Sequence, residues 1–183
     1  MPEDLIVRQC APTLAGIKTG SLFSYSCPDR NELKKDIVCF NRKYSRKGLC
    51  MIPLRIGKSS ALLYLYRPAE LKRDLNSDSA RELLKSAGYE CNNCGRCIVH
   101  LMKRLCESCE FPHEIGLFLS YPPEDVKGFI ENHAANFKCA GLWKVYGDEK
   151  KALKLFRRYK HCTNVYCSLL AKGRGIEDLA ICS

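Results

Sequence analysis

Apolar residues recur every three or four positions over residues 31–44 and 149–172, a period that predicts two amphipathic helices. In the first, Leu33, Ile37, Val38 and Phe40 form the apolar side. In the second, Ala152, Phe156, Tyr159, Thr163, Tyr166 and Leu170 do so, after a start at Gly147-Asp148. Residues 49–54 and 61–66 flank Gly57-Lys58-Ser59-Ser60 and predict a hairpin. Pro53 lacks an N–H for the ladder, so its strand is expected at an edge or with a bulge. Residues 21–24 read as a short strand ending at the turn signal Ser26-Cys27-Pro28-Asp29. Pro68 opens an interrupted helical stretch that Gly88 stops after about Ala87.

Residues 115–120 are apolar without a break, as expected of a buried strand. Tyr121-Pro122-Pro123-Glu124-Asp125 then turns the chain into a helix with Val126, Phe129 and Ile130 inward, and residues 141–146 read as another strand. Two consecutive strand–helix units predict a parallel pair joined by a right-handed crossover. With the hairpin, the fold class is α/β (or α+β): a mixed sheet, a hairpin in the first half, strand–helix units in the second, and helices packed on the sheet. No repeat, low-complexity run or Gly/Ser linker interrupts the chain, so residues 1–183 are expected to form a single domain. A chain this long buries roughly two-thirds of its unfolded surface and needs no metal or disulfide staple to fold.

Thirteen cysteines therefore need another explanation, and five fall close together: Cys91, Cys94, Cys97, Cys106 and Cys109. Cys94-x2-Cys97-x8-Cys106-x2-Cys109 has the ligand count of tetrahedral zinc. The Cys91-x2-Cys94-x2-Cys97 run resembles iron–sulfur motifs, without their fourth cysteine before a proline. Against one site stands the spacing of Ile98, Leu101, Met102 and Leu105, which predicts a helix between the two knuckles. Eight helical residues rise about 12 Å, whereas sulfurs sharing one zinc lie about 3.8 Å apart. Reduced cysteines packed at the ends of a helix account for the same spacing, and zinc or an iron–sulfur cluster is not the favoured cofactor.

Other candidates are dispersed. His113-Glu114 precedes the apolar run, where an imidazole beside a carboxylate can act as base or metal ligand. Cys10, in a loop-like stretch, has Lys18 nearby, and Cys139 is flanked by Lys138 and Lys144; a neighbouring ammonium lowers a thiol pKa. Arg55-Ile56-Gly57-Lys58-Ser59 is not a phosphate-binding loop, because Ile52 stands where that motif needs glycine.

The formal net charge is +10, and between Lys138 and Arg174 ten Lys and Arg face only Asp148 and Glu149. Such a stripe attracts polyanions. A solvated face of a basic protein is the preferred reading, and no tight or specific nucleic-acid binding is expected, since the aromatic residues of that helix lie on its apolar side. No secretory signal is read at residues 1–7, and no stretch approaches the ~20 apolar residues of a membrane span. A cytosolic, reduced setting is expected.

Three segments together resemble one family: Cys10-Ala-Pro-Thr-Leu-Ala-Gly-Ile-Lys18, the run from Phe111-Pro-His-Glu-Ile-Gly through Tyr-Pro-Pro-Glu-Asp-Val to Ile130, and Cys139-Ala-Gly-Leu-Trp-Lys-Val-Tyr-Gly147. The family is domain of unknown function 3793, familiar from anaerobic bacteria, and the resemblance spans essentially the whole chain. A host without oxygen would make a high load of free thiols harmless. Cys10, Lys18, His113, Glu114, Asp125, Cys139 and Lys144 fit the family pattern. The cysteine cluster is not part of it, and Ser120 stands where glycine is usual before Tyr-Pro. The resemblance implies one domain and carries no established activity. The leading expectation is a thiol- and histidine-based small-ligand or redox site at Cys10, His113, Glu114 and Cys139, with Lys18, Lys144 and Asp125 binding ligand; whether it is enzymatic stays open. The alternatives are metal or iron–sulfur binding at Cys94, Cys97, Cys106 and Cys109, and nonspecific nucleic-acid binding by the last long helix.

Overall fold

A computed structural model describes residues 1–26, 29–90, 93–107 and 111–182. The fold mixes α and β structure, with helices packed on a three-stranded sheet and a second, two-stranded sheet. The chain divides into two compact units, residues 1–69 with 159–183, and residues 70–158.

The first unit holds the larger sheet. Strands β1 (Gly20–Ser26), β2 (Cys50–Ile56) and β3 (Ser60–Tyr66) pair antiparallel in the order β1-β3-β2. Pro53 lies on β2, an edge strand, and the register slips between Pro53 and Arg55, so both signs read from the proline are present. The open side of β2 is partly closed by α2 (Arg30–Tyr44): the Asn41 amide donates to the Met51 carbonyl and accepts from the Met51 N–H, as a neighbouring strand would. Asp29 caps α2 by accepting from Asn31 N at 2.7 Å. Its buried face is Leu33, Ile37, Phe40 and Tyr44, whereas Val38 is exposed.

Helix α1 (Glu3–Leu14) packs on β1 and contributes Ile6, Val7, Cys10 and Leu14 to the core. Its last carbonyls keep acceptor capacity beyond their backbone bonds, in which Thr13 O accepts from Gly16 N and Leu14 O from Ile181 N. Arg67, just past β3 and 1% exposed, meets them: its guanidinium donates to Thr13 O and Leu14 O at 2.8 Å, and to Lys47 O and Ile181 O. A cation at a helix C-terminus also complements the helix dipole. The end of helix α8 (Glu149–Ala171) and α9 (Ile176–Leu179) complete this unit.

In the second half the structure corrects two predicted strands. The stretch 115–120 contains helix α6 (Ile115–Phe118), entered through consecutive short turns in which Ile115, Gly116 and Leu117 N–H donate three residues back. An uninterrupted apolar run records burial on all sides but not periodicity, so it fits a buried helical turn as well as a strand. In place of one strand over 141–146, residues 139–145 form a tight hairpin, with β4 (Cys139–Ala140) pairing antiparallel to β5 (Lys144–Val145). No parallel pair or crossover is present among the described residues. The predicted helices hold: α3 (Pro68–Leu75) and α4 (Asp78–Ser86), ended by Gly88 at φ 82°, then α5 (Cys94–Glu107) and α7 (Pro123–Glu131).

Candidate functional site

In the second unit a cleft of about 440 Å³ opens between the 111–129 segment and the β4–β5 hairpin. Helix α7 supplies Asp125, Val126 and Phe129 to it, and the hairpin supplies Trp143 and Lys144. The two sides are joined through Asp125, which is 3% exposed: it accepts from Trp143 Nε1 at 2.7 Å and from the Tyr146 and Gly147 N–H groups at 2.8 and 2.7 Å. Three N–H donors stabilise a buried carboxylate that would otherwise be costly to desolvate. The carboxylate thereby sets the plane of the indole. Tyr121 stacks on Trp143 with ring centres 4.7 Å apart, and Phe156 meets the indole edge-on at 4.5 Å. Burial pushes the Tyr121 hydroxyl above its usual pKa, so it is a neutral phenol throughout the physiological range.

Gly116 lets the floor close. A Cβ there would lie 2.8 Å from Val126 and 3.0 Å from Tyr121, so α6 approaches α7 only because that side chain is absent. After α6 the chain reverses at Ser120, whose φ of 60° lies in the left-handed region, and Tyr121 N closes the turn onto Gly116 O at 3.0 Å.

The polar groups at the cleft are few. His113 is exposed and packs edge-on against Phe129, ring centres 4.9 Å apart. Lys144 Nζ lies 5.8 Å from the centre of the same ring and 4.8 Å from that of Phe137, and donates to Ala134 O at 2.8 Å. That carbonyl belongs to a turn in which His133, Ala134 and Asn136 all take positive φ.

Glu114 does not act with its neighbour His113. It is buried, accepts from Tyr89 Oη at 2.8 Å and pairs with Arg104 of α5 at 3.0 Å. It anchors the segment that carries His113. Cys139, on β4, has a thiol pushed above its ordinary pKa by loss of solvation and by Glu149 and Asp125, despite the lysines beside it in sequence. Cys10 belongs to the first unit and lies in α1, not in a loop. Burial raises its pKa far more than Lys18 and Ser21 lower it. Lys18 is brought down to about 8 by desolvation, against the opposing pull of Cys10, and sits 6.0 Å from the centre of the Tyr159 ring. Cys10 lacks the solvated setting, and Cys139 the electropositive one, that make a thiol a nucleophile at neutral pH.

The remaining candidates separate likewise. Cys94 and Cys97 occupy the first turn of α5 and Cys106 its last, an unbroken helix whose rise of about 1.5 Å per residue sets them too far apart for one ion. Cys91 and Cys109 lie outside the described residues. Among the described residues no three His, Cys, Asp or Glu side chains are grouped as a metal site needs. On α8, Lys150, Lys151, Lys154, Arg157, Arg158 and Lys160 are exposed while Ala152 and Tyr159 are buried.

Of the anticipated residues, the cleft gathers His113, Asp125 and Lys144. Its aromatic walls carried no role in the sequence reading. The signal was present: the lining comes from the Phe111–Ile130 and Cys139–Gly147 motifs, separated in sequence and brought together here. The family model for Protein of unknown function (DUF3793) matches residues 6–180. The chain belongs to that family. No curated protein and no solved structure matches it. Within this DUF3793 chain no helix is long and apolar enough to cross a membrane, among the described residues.

Proposed function

We propose that this protein binds a small, planar, largely apolar molecule in the cleft between α7 and the β4–β5 hairpin. The observation that carries the reading is the convergence of two distant motifs on one aromatic-walled opening. Tyr121, Phe129 and Trp143 line it, and Phe111 and Leu142 at the lining are 47% and 53% exposed. A concave, mostly apolar cleft with a few fixed polar groups is the usual form of a small-molecule site, and this volume falls within the range of roughly 300–1,000 Å³ typical of such sites. The raised pKa values of Cys10 and Cys139 favour binding over thiol chemistry.

Trp143 is the only tryptophan, so its indole N–H gives a single side-chain resonance located at the site. A panel of bicyclic aromatic fragments is expected to shift that resonance saturably, and Leu142→Ser with Phe111→Ser to weaken the response. Fragments that bind elsewhere, or a resonance that never saturates, would contradict the reading.

A second reading rests on the exposed ridge of α8. It supports weak, sequence-independent attraction to polyanions that falls steeply with salt. Sub-micromolar affinity for an oligonucleotide at physiological salt in a gel-shift assay would promote it above the cleft.

A further inference from the structure

Granting the reading of the cleft as a ligand site, we infer that its occupant is an anionic aromatic molecule, a planar ring system bearing a carboxylate, with Lys144 and His113 receiving the charge. The polar groups at the lining differ in the bonding capacity they have left. Among the described residues Asp125 is the only acid at the lining, and its two oxygens are already engaged by three N–H donors at 2.7–2.8 Å. It serves the protein rather than an occupant. Lys144 differs. An ammonium has three N–H donors, and among the described residues the one hydrogen bond from Lys144 goes to Ala134 O. The other donors stand over Phe129 and Phe137, where ring faces stabilise the cation but accept no strong hydrogen bond.

His113 is exposed and meets the same Phe129 ring edge-on with ring centres 4.9 Å apart, and its imidazole makes no hydrogen bond among the described residues. A cation and an imidazole with open donors, both packed on one phenyl ring at the edge of an aromatic cleft, match a ligand whose ring lies along Tyr121 and Trp143. Its carboxylate would project toward Phe129. A cationic occupant would be repelled by Lys144, and a neutral one would leave the ammonium's remaining donors unmatched. Charge-assisted hydrogen bonds to a carboxylate are roughly twice as strong as neutral ones, so the preference is large enough to measure.

Three probes of matched size decide the matter by isothermal titration of the full chain: naphthalene-2-carboxylate, naphthalene-2-carboxamide and naphthalen-2-ylmethylammonium. The carboxylate is expected to bind about tenfold tighter than the carboxamide, with the ammonium weakest. Lys144→Met is expected to bring the carboxylate down to the carboxamide's affinity while leaving the carboxamide within about twofold, and Lys144→Arg to keep the preference. Equal or tighter binding of the carboxamide or the ammonium to the unaltered protein would overturn the anion assignment and leave the cleft as a ligand site. Failure of all three to bind would overturn the cleft reading and this inference with it. The comparison in the unaltered chain stands even if a Lys144 variant misfolds.

Discussion

Trp143 donates its indole N–H to Asp125 Oδ2 at 2.7 Å, across 18 residues of sequence, and that bond fixes the wall of the cleft to helix α7. Asp125 also holds the Tyr146 and Gly147 N–H groups, so one carboxylate organises the end of the hairpin. Asp125→Asn presents an NH₂ group where an acceptor is needed. It is expected to destabilise the protein by about 2–4 kcal/mol, as the loss of charge-assisted bonds and a mismatched buried donor imply. Urea unfolding followed by Trp143 fluorescence measures this, and a loss below about 0.5 kcal/mol would show that the carboxylate is not organising the hairpin.

Ser120 offers the opposite change. Its φ of 60° is strained for a residue with a Cβ, and glycine adopts that conformation freely. Ser120→Gly is expected to stabilise the fold by about 0.5–1 kcal/mol, with the cleft retained. Thermal melts of the two proteins compare them directly. The same geometry explains why glycine suits the position before Tyr-Pro.

Arg67 supports the first unit. Its planar fork reaches the carbonyls of Thr13, Leu14, Lys47 and Ile181 together, a task for which a single ammonium has the wrong shape. Arg67→Lys is therefore expected to cost about 2 kcal/mol or more despite keeping the charge, and Arg67→Ala more still, in chemical denaturation. Equal stability of the lysine variant would show that charge alone suffices.

Lys18 and Cys10 impose opposite pH dependences. The folded pKa of Lys18 is depressed to about 8, so between that value and the unfolded lysine value near 10.4 the unfolded chain binds more protons. Stability from this group therefore rises with pH across that window. Cys10 has a raised folded pKa: its contribution is full below the unfolded thiol value, about 8.5, and is lost as pH climbs above it. Lys18→Met is expected to remove the rising component and leave a steeper fall above about pH 9. Stability profiles between pH 7 and 10.5 test this, and a profile unchanged by the substitution would contradict it.

The sequence made some of this legible and withheld the rest for identifiable reasons. Helical periodicity placed α2 and α8, and Pro53 marked both the edge strand and the slip in register, because each feature acts through local backbone chemistry. The 115–120 run failed as a strand because full burial erases the alternation that separates strand from helix. Cys139 shows the limit for sites: the lysines beside it in sequence mattered less than Glu149, ten residues away but close in space. Likewise His113 and Glu114, adjacent in the chain, serve different surroundings, one at the cleft and one against Tyr89 and Arg104. The motifs located the cleft; only the fold distinguished its walls from its supports.

The most direct measurement is a crystal structure of the protein soaked with naphthalene-2-carboxylate. The account expects the ring system along Tyr121 and Trp143, with a carboxylate oxygen about 2.8 Å from Lys144 Nζ, a charge-assisted hydrogen bond. Density for the ring at another site, or in the cleft with its carboxylate turned to solvent and away from Lys144, would contradict it.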